Sequence, residues 1–107
     1  MYTKMTIGGK EIELTANAAT VIRYKHIFHK DLFFILGNEE RAEREGIEAI
    51  QELAFIMNKQ AEKADMTKLD AESYMEWLEQ FPSMAFVENA EDILNAYMES
   101  TTTTATP

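Results

Sequence analysis

Residues 70–99 read DAESYMEWLEQFPSMAFVENAEDILNAYME and contain eight acidic residues but no lysine or arginine. Large apolar residues recur through this stretch at helical spacing: Tyr74, Trp77, Leu78, Phe81, Phe86, Ala90, Ile93, Leu94 and Tyr97. Because an amphipathic helix separates apolar and charged residues onto opposite faces, the stretch predicts two packed acidic helices. The Phe81-Pro82-Ser83 step divides them, since the residue before a proline is pushed out of helical geometry. The pattern is typical of helices made for contact.

At the other end of the chain, residues 2–14 predict a β-hairpin. Apolar residues alternate there with polar ones around a pair of glycines: Met5, Ile7, Ile12 and Leu14. Gly8 and Gly9 can supply the positive φ angles of a two-residue type I′ turn, so Ile7 and Lys10 should flank it. An isolated hairpin is marginally stable in water, so we expect the helices to cover its apolar face.

Two helices are predicted directly after the hairpin. The first runs from about residue 18 to 29, with Thr15 or Asn17 as its N-cap. Its broad apolar side consists of Val21, Ile22, Tyr24, Ile27 and Phe28. The second is a short apolar helix that Asp31 caps and that Gly37 closes in the left-handed conformation.

A longer helix should follow from about residue 39 to 64, capped by Asn38. Its expected inner face is Ile47, Ile50, Leu53, Ala54, Met57 and Ala61. Gly46 inside it indicates either a close helix crossing or a later start near that residue. Thr67 or Asp70 should open the next helix, and the last helix should span about residues 84–99.

The predicted fold class is therefore α+β, mostly α, with an N-terminal β-hairpin followed by four to five helices packed as one small domain. Residues 1–99 form this domain. Residues 100–107, with four consecutive threonines and almost no apolar content, should be a disordered tail. A chain of 107 residues has the length of one such domain.

Composition excludes several classes of protein. No apolar run approaches the ~20 residues that span a bilayer, and no secretory signal is present, so we expect a cytoplasmic protein. The net charge of −9 argues against binding to nucleic acid or to anionic membranes. This charge is uneven: in residues 1–30 five basic residues against two acidic ones give +3, so the remaining residues sum to −12.

No pattern of catalytic residues emerges from the sequence. His26 and His29 lie three apart on one predicted helix with Asp31 nearby, which is a weak metal signal without a further distant ligand. Glycine-rich phosphate loops, nucleophile motifs and calcium loops are missing from the sequence, and it contains no cysteine. We therefore expect no enzymatic activity, no cofactor and no metal site.

Two aromatic groups are candidates for binding a partner. One is the short helix with Phe33, Phe34 and Leu36, and the other is the helix with Tyr74, Trp77 and Phe81. The helical register of Trp77 with its aromatic neighbours favours the core instead.

Three segments together resemble the tail assembly chaperones of long-tailed bacteriophages and prophages of Gram-positive bacteria. They are MTIGGKEIEL at 5–14, NAATVIRYKHIFHKDL at 17–32 and ENAEDILNAYMES at 88–100, which runs into the Thr-rich end. The resemblance covers nearly the whole chain, in layout rather than in a diagnostic motif.

The resemblance implies a non-catalytic chaperone that binds the tape measure protein and keeps it soluble during tail tube assembly. The implied partners are the tape measure protein, the tail tube protein and further copies of the chain. In self-association, the basic first thirty residues of one copy would meet the acidic last third of the next. The implied location is the host cytoplasm, with the protein absent from the mature virion. Two alternatives remain open: an acidic, DNA-mimicking inhibitor of a host nucleic-acid-binding protein, and a structural tail or head-completion protein.

Overall fold

The computed structural model describes residues 2–101, which form an antiparallel hairpin followed by five α-helices. The elements are β1 (Tyr2–Ile7), β2 (Lys10–Thr15), α1 (Ala19–Phe28), α2 (Leu32–Gly37), α3 (Glu39–Ala61), α4 (Ala71–Leu78) and α5 (Ala85–Thr101). A single 3-10 turn at Met66–Lys68 links α3 to α4. The predicted α+β class, with a hairpin before the helices, is confirmed.

The hairpin has the predicted register, in which Ile7 pairs with Lys10 on either side of the two glycines. Gly8 and Gly9 have φ angles of +58° and +84°, as a type I′ turn requires. A Cβ atom on Gly8 would lie 2.5 Å from Cδ of Pro82, whereas one on Gly9 would meet nothing within 4 Å. The turn is therefore packed through Gly8 against the start of α5.

Helix α3 is the centre of the molecule, because β2, α1, α2, α4 and α5 all pack against it. Every residue from Leu53 to Asn58 is buried, so this part of α3 is covered on all sides. The sequence predicted only one inner face. The apolar residues of the hairpin, among them Ile7 and Leu14, are buried in the same core, as expected.

Three buried polar residues of α3 tie other elements to it. Glu52 accepts a 2.6 Å hydrogen bond from the Tyr24 hydroxyl of α1. The amide groups of Asn58 and Gln60 each donate a 2.9 Å hydrogen bond to a carbonyl oxygen of β2. Within the described residues, every buried side-chain nitrogen or oxygen has a hydrogen-bond partner. These bonds fix the hairpin and α1 in one orientation on α3, since a shift would leave buried polar groups unpaired.

The predicted helix caps are largely confirmed. The side chains of Asp31, Asn38 and Asp70 accept from first-turn amides at 3.1, 3.0 and 2.9 Å. At α1 the Asn17 side chain accepts from the amide of Ala19 at 2.9 Å, although the cap position itself belongs to the residue between them.

Two expectations about glycine are wrong. Gly37 is the last residue of α2 but has no positive φ, so it does not close the helix in the left-handed conformation. Gly46 lies inside a continuous α3 where a Cβ would meet nothing within 4 Å, so it marks neither a close crossing nor a later start. Left-handed residues occur instead at His29, which ends α1, and at Lys63, which turns the chain after α3 before the predicted end at residue 64.

Two isoleucines expected on inner faces are exposed. Ile22 is 52% exposed, because α1 turns Thr20 and Tyr24 inward and position 22 lies on the opposite side of the helix. Ile47 is 39% exposed, since the buried side of α3 includes Gly46 and Ile50 and position 47 lies beside it.

The last helix, α5, continues to Thr101, two residues further than expected. The predicted disorder of the remaining tail, residues 102–107, lies outside the described residues. None of the helices described in residues 2–101 is long and apolar enough to cross a membrane.

Candidate functional site

The aromatic pair of α2 is the most prominent apolar feature of the surface. Phe33 and Phe34 are each 58% exposed, whereas Leu32 and Ile35 of the same helix are buried against the core. Leu36 is half-buried and packs at the edge of that core. A six-residue helix can bury only one side, so consecutive phenylalanines at its second and third positions lie outside the core.

Both rings are supported by neighbouring helices. The Phe33 ring lies 6.5 Å from the ring of Tyr97 in α5, measured between centroids. The guanidinium of Arg41 in α3 lies 5.0 Å from the centroid of the Phe34 ring, within reach of a cation–π interaction. We call the surface formed by Phe33 and Phe34, with Leu36 at its edge, the α2 patch.

A salt bridge fixes the arginine that supports the α2 patch. Arg41 donates to both carboxylate oxygens of Glu45, one turn later, at 2.9 and 3.0 Å. These hydrogen bonds lower the pKa of the Glu45 carboxyl below its usual value. The spacing of this pair is visible in the sequence, but the contact of Arg41 with Phe34 depends on how α2 folds back onto α3.

The second aromatic candidate belongs to the core. Tyr74 is buried and Trp77 is only 4% exposed, with its indole nitrogen donating to Oδ1 of Asn58 at 2.9 Å. Phe81 is half-buried and its ring lies 4.9 Å from that of Trp77. These three side chains hold α4 and the following turn against α3, so in this conformation Tyr74 and Trp77 offer little surface to a partner. The structure does not bring them together with the α2 patch.

A second cluster combines charged and phenolic groups between α1 and α3. Lys30 donates to Glu48 at 2.8 Å and to Glu52 at 3.0 Å, and Glu52 also accepts from Tyr24. Burial first, and then the bond to Glu52, raises the pKa of Tyr24 far above its usual value. Burial lowers the pKa of Lys30, but its bonds to the two carboxylates outweigh this effect and leave that pKa raised. Because these groups serve as one another's hydrogen-bond and ion-pair partners, we interpret the cluster as structural: it holds α1 against α3.

The two histidines lie in a different place from either aromatic group. His26 and His29 line two shallow depressions of about 570 and 650 Å³ beside α1. Among residues 2–101, no group of three or more histidine, aspartate or glutamate side chains is arranged to hold a metal ion.

The fold and the α2 patch together define a small acidic α+β domain that carries an exposed aromatic surface on a helical scaffold. Comparisons with known protein families, with curated protein sequences and with solved structures find no match to this chain.

Proposed function

We propose that this protein is a tail assembly chaperone of a long-tailed bacteriophage or prophage. It binds the tape measure protein in the host cytoplasm, keeps it soluble until tail tube subunits polymerise around it, and is absent from the finished virion. The observation that carries the proposal is the α2 patch, in which Phe33 and Phe34 are exposed on an otherwise well-packed domain.

A chaperone that covers a client needs an apolar contact surface that does not disturb its own fold. Fully burying an exposed phenylalanine stabilises by about 1.5–3 kcal/mol. Each ring of the α2 patch is 58% exposed, so covering both with a client would contribute roughly 2–3 kcal/mol, or about 30- to 150-fold in affinity. A single contact of this size is weak and reversible, which suits a client that must be released.

The rest of the surface favours solubility. The carboxylates of α4 and α5, from Glu72 to Glu99, form no salt bridge within the described residues. With a net charge of −9, copies of the protein and its complexes repel one another, which keeps them in solution. An acidic domain that binds an aggregation-prone client can thereby lend it solubility.

The test is co-expression with the large, helix-rich protein encoded just downstream, followed by a solubility assay and a tagged pull-down. We expect the downstream protein to be insoluble alone and to become soluble and co-purify with this protein. If no such gene lies downstream, or if its product neither becomes soluble nor co-purifies with this protein, the proposal is wrong.

A pair of variants locates the contact. Replacing both rings of the α2 patch, Phe33→Ser with Phe34→Ser, should abolish rescue of the client by removing the apolar contact. The matched control is Met84→Ser, because Met84 is 54% exposed and lies just before α5. Met84 lies far from the α2 patch: Tyr97, which supports Phe33, is thirteen residues further along the chain, or about 20 Å at the rise of an α-helix. Rescue by the double variant would show that the client binds elsewhere.

Two separate assays distinguish the alternative functions. An inhibitor that mimics DNA would compete with a nucleic-acid duplex for a basic host protein, and a structural tail protein would remain in purified particles. A chaperone should do neither.

A further inference from the structure

The outward side of α5 carries an apolar stripe. Val87, Leu94 and Met98 recur at positions i, i+7 and i+11, which at 3.6 residues per turn lie within about 40° of one another around the helix axis. Val87 is 46% exposed, Met98 is 52% exposed, and Leu94 between them is half-buried. We call these three residues the α5 stripe, which runs for about 16 Å, or roughly three helical turns.

The α5 stripe continues into the α2 patch. Tyr97 lies one turn after Leu94 and directly before Met98, and its buried ring lies beside Phe33, with 6.5 Å between the two ring centroids. Phe33, which is 58% exposed, therefore lies along the side of the stripe that Tyr97 borders. Together the stripe and Phe33 form one exposed apolar surface that spans α2 and α5.

Carboxylates border the other side of the α5 stripe. Glu91 lies about 40° and Glu88 about 100° around the helix from the centre of the stripe, in the direction away from Tyr97. Both are exposed, and neither forms an ion pair within residues 2–101. Residues 70–99 supply no lysine or arginine that could neutralise them. The surface of α5 is therefore apolar on the side of α2 and negative on the side away from it.

We propose that the α5 stripe and Phe33 bind one amphipathic helix of a partner protein, with lysine or arginine residues of that helix facing Glu88 and Glu91. An amphipathic helix fits because its apolar residues recur at the same spacing as the stripe and can lie along it. Basic residues on one flank fit because unpaired carboxylates attract them and repel an acidic segment. Met98 makes the surface adaptable, since a flexible thioether accommodates side chains of different shapes.

The identity of the partner rests on the proposed function, whereas the recognition chemistry does not. For a chaperone of the tape measure protein, the segments covered are helices of that client with an apolar side and a basic flank. The inference thereby adds a second contact surface to the α2 patch. It also gives the bound helix a direction, along α5 with its basic flank turned away from α2.

The experiment measures binding of a synthetic helical peptide to the purified protein. The probe is a peptide of about 18 residues with leucines at i, i+3, i+4 and i+7 spacing and lysines along one flank, and its control carries glutamate at every lysine position. Fluorescence anisotropy of the labelled peptide, with protein added up to about 1 mM, gives the affinity. We expect the lysine peptide to bind at least about tenfold more tightly than the glutamate peptide. Absence of binding, or equal binding of both peptides, would overturn the proposal.

A pair of serine substitutions locates the apolar contact. Val87→Ser with Met98→Ser should weaken binding of the lysine peptide by about tenfold or more, because the burial of both side chains is lost. The matched control is Ile22→Ser with Met75→Ser, since these residues of α1 and α4 are similarly exposed, at 52% and 57%. An equal loss in the control would show that the peptide does not lie on the α5 stripe.

Neutralising the acidic side of α5 tests the charge. Glu88→Gln with Glu91→Gln should weaken binding of the lysine peptide by about fivefold or more. The matched control is Glu72→Gln with Glu76→Gln on α4, which changes the net charge equally at exposed residues and likewise includes one carboxylate of a first helical turn. If both pairs weaken binding equally, the peptide responds only to the overall charge of the protein and the proposal is wrong.

Circular dichroism of each variant establishes that it is folded. Because an apolar pair and a charged pair test the surface separately, one unstable variant does not decide the outcome. Sedimentation equilibrium of the protein alone tests the other occupant. Self-association that Val87→Ser with Met98→Ser removes would assign the α5 stripe to a second copy and overturn the proposal.

The peptide assay uses no client, so it separates this inference from the proposed function. A protein that binds the lysine peptide through α5 but fails to rescue the downstream protein retains the inference and loses the proposed function. Full rescue by the variant with Val87→Ser and Met98→Ser would leave the chaperone function standing and show that the client does not bind the α5 stripe.

Discussion

The clearest quantitative prediction concerns the hairpin turn. Both Gly8 and Gly9 have positive φ angles, so alanine at either position costs about 1–2 kcal/mol for the left-handed backbone alone. Only at Gly8 would the new Cβ also clash, lying 2.5 Å from Cδ of Pro82 and 3.1 Å from Cβ of Ala85. A proline ring cannot swing aside, so the turn must move away from α5, and such overpacking typically costs about 1–3 kcal/mol.

We therefore expect Gly9→Ala to lower the free energy of unfolding by about 1–2 kcal/mol and Gly8→Ala by about 2–5 kcal/mol. The assay is urea denaturation followed by far-ultraviolet circular dichroism and by the fluorescence of Trp77, the single tryptophan, which is buried. With a slope of about 1–1.5 kcal/mol per molar urea, the two variants should differ by about 1 M or more in midpoint.

A double-mutant cycle tests the cause. In a Pro82→Ala background the closest clash is gone, so Gly8→Ala should cost less there, with a coupling energy of about 0.5–3 kcal/mol. Equal losses for Gly8→Ala and Gly9→Ala, or no coupling to Pro82, would refute the contact between the turn and α5. The backbone cost alone would then explain both variants.

Three further predictions follow from the core. Gly46→Ala should raise the free energy of unfolding by up to about 1 kcal/mol, and with it the urea midpoint, because the added Cβ meets nothing within 4 Å and alanine favours a helix more than glycine does. A lower midpoint would contradict this expectation. Asn58→Leu should lower the free energy of unfolding by about 2–5 kcal/mol, measured the same way, since it leaves the indole of Trp77 and the carbonyl of Glu13 unpaired inside the protein. The raised pKa of Tyr24 keeps its phenol protonated in the folded state, whereas an unfolded tyrosine ionises near pH 10, so the stability that it contributes is complete below about pH 10 and is lost above it. Unfolding measured between about pH 9 and 11.5 should show this loss, and Tyr24→Phe should reduce it, while Tyr74 and Tyr97, whose pKa values burial also raises, account for the remainder.

Much of the secondary structure could be predicted because its signals are local. A two-residue hairpin turn requires positive φ angles, which the Gly8-Gly9 pair can adopt whatever packs on the hairpin. Asp31, Asn38 and Asp70 can likewise cap a helix with their own short side chains. These signals need only a few neighbouring residues, so the fold class and most boundaries followed from the sequence.

The wrong expectations about burial share one cause. Helical periodicity shows that a helix has an apolar side, but not how many elements will pack on it. The Leu53–Asn58 segment of α3 is covered on all sides, whereas α1 is covered so narrowly that Ile22 faces outward. The buried polar residue Glu52 was missed for the same reason, since its partner Tyr24 lies twenty-eight residues earlier in the chain.

The candidate site shows the same division. By itself the sequence determined that two aromatic helices exist and that one of them, α2, is short and strongly apolar. Only the tertiary structure decided which aromatic side chains are exposed. Trp77 is enclosed because α4 packs on α3, where Asn58 accepts from its indole, whereas α2 contacts the core through Leu32 and Ile35 and leaves Phe33 and Phe34 outside. Exposure is set by what packs over a residue, and those atoms come from parts of the chain that local sequence cannot specify.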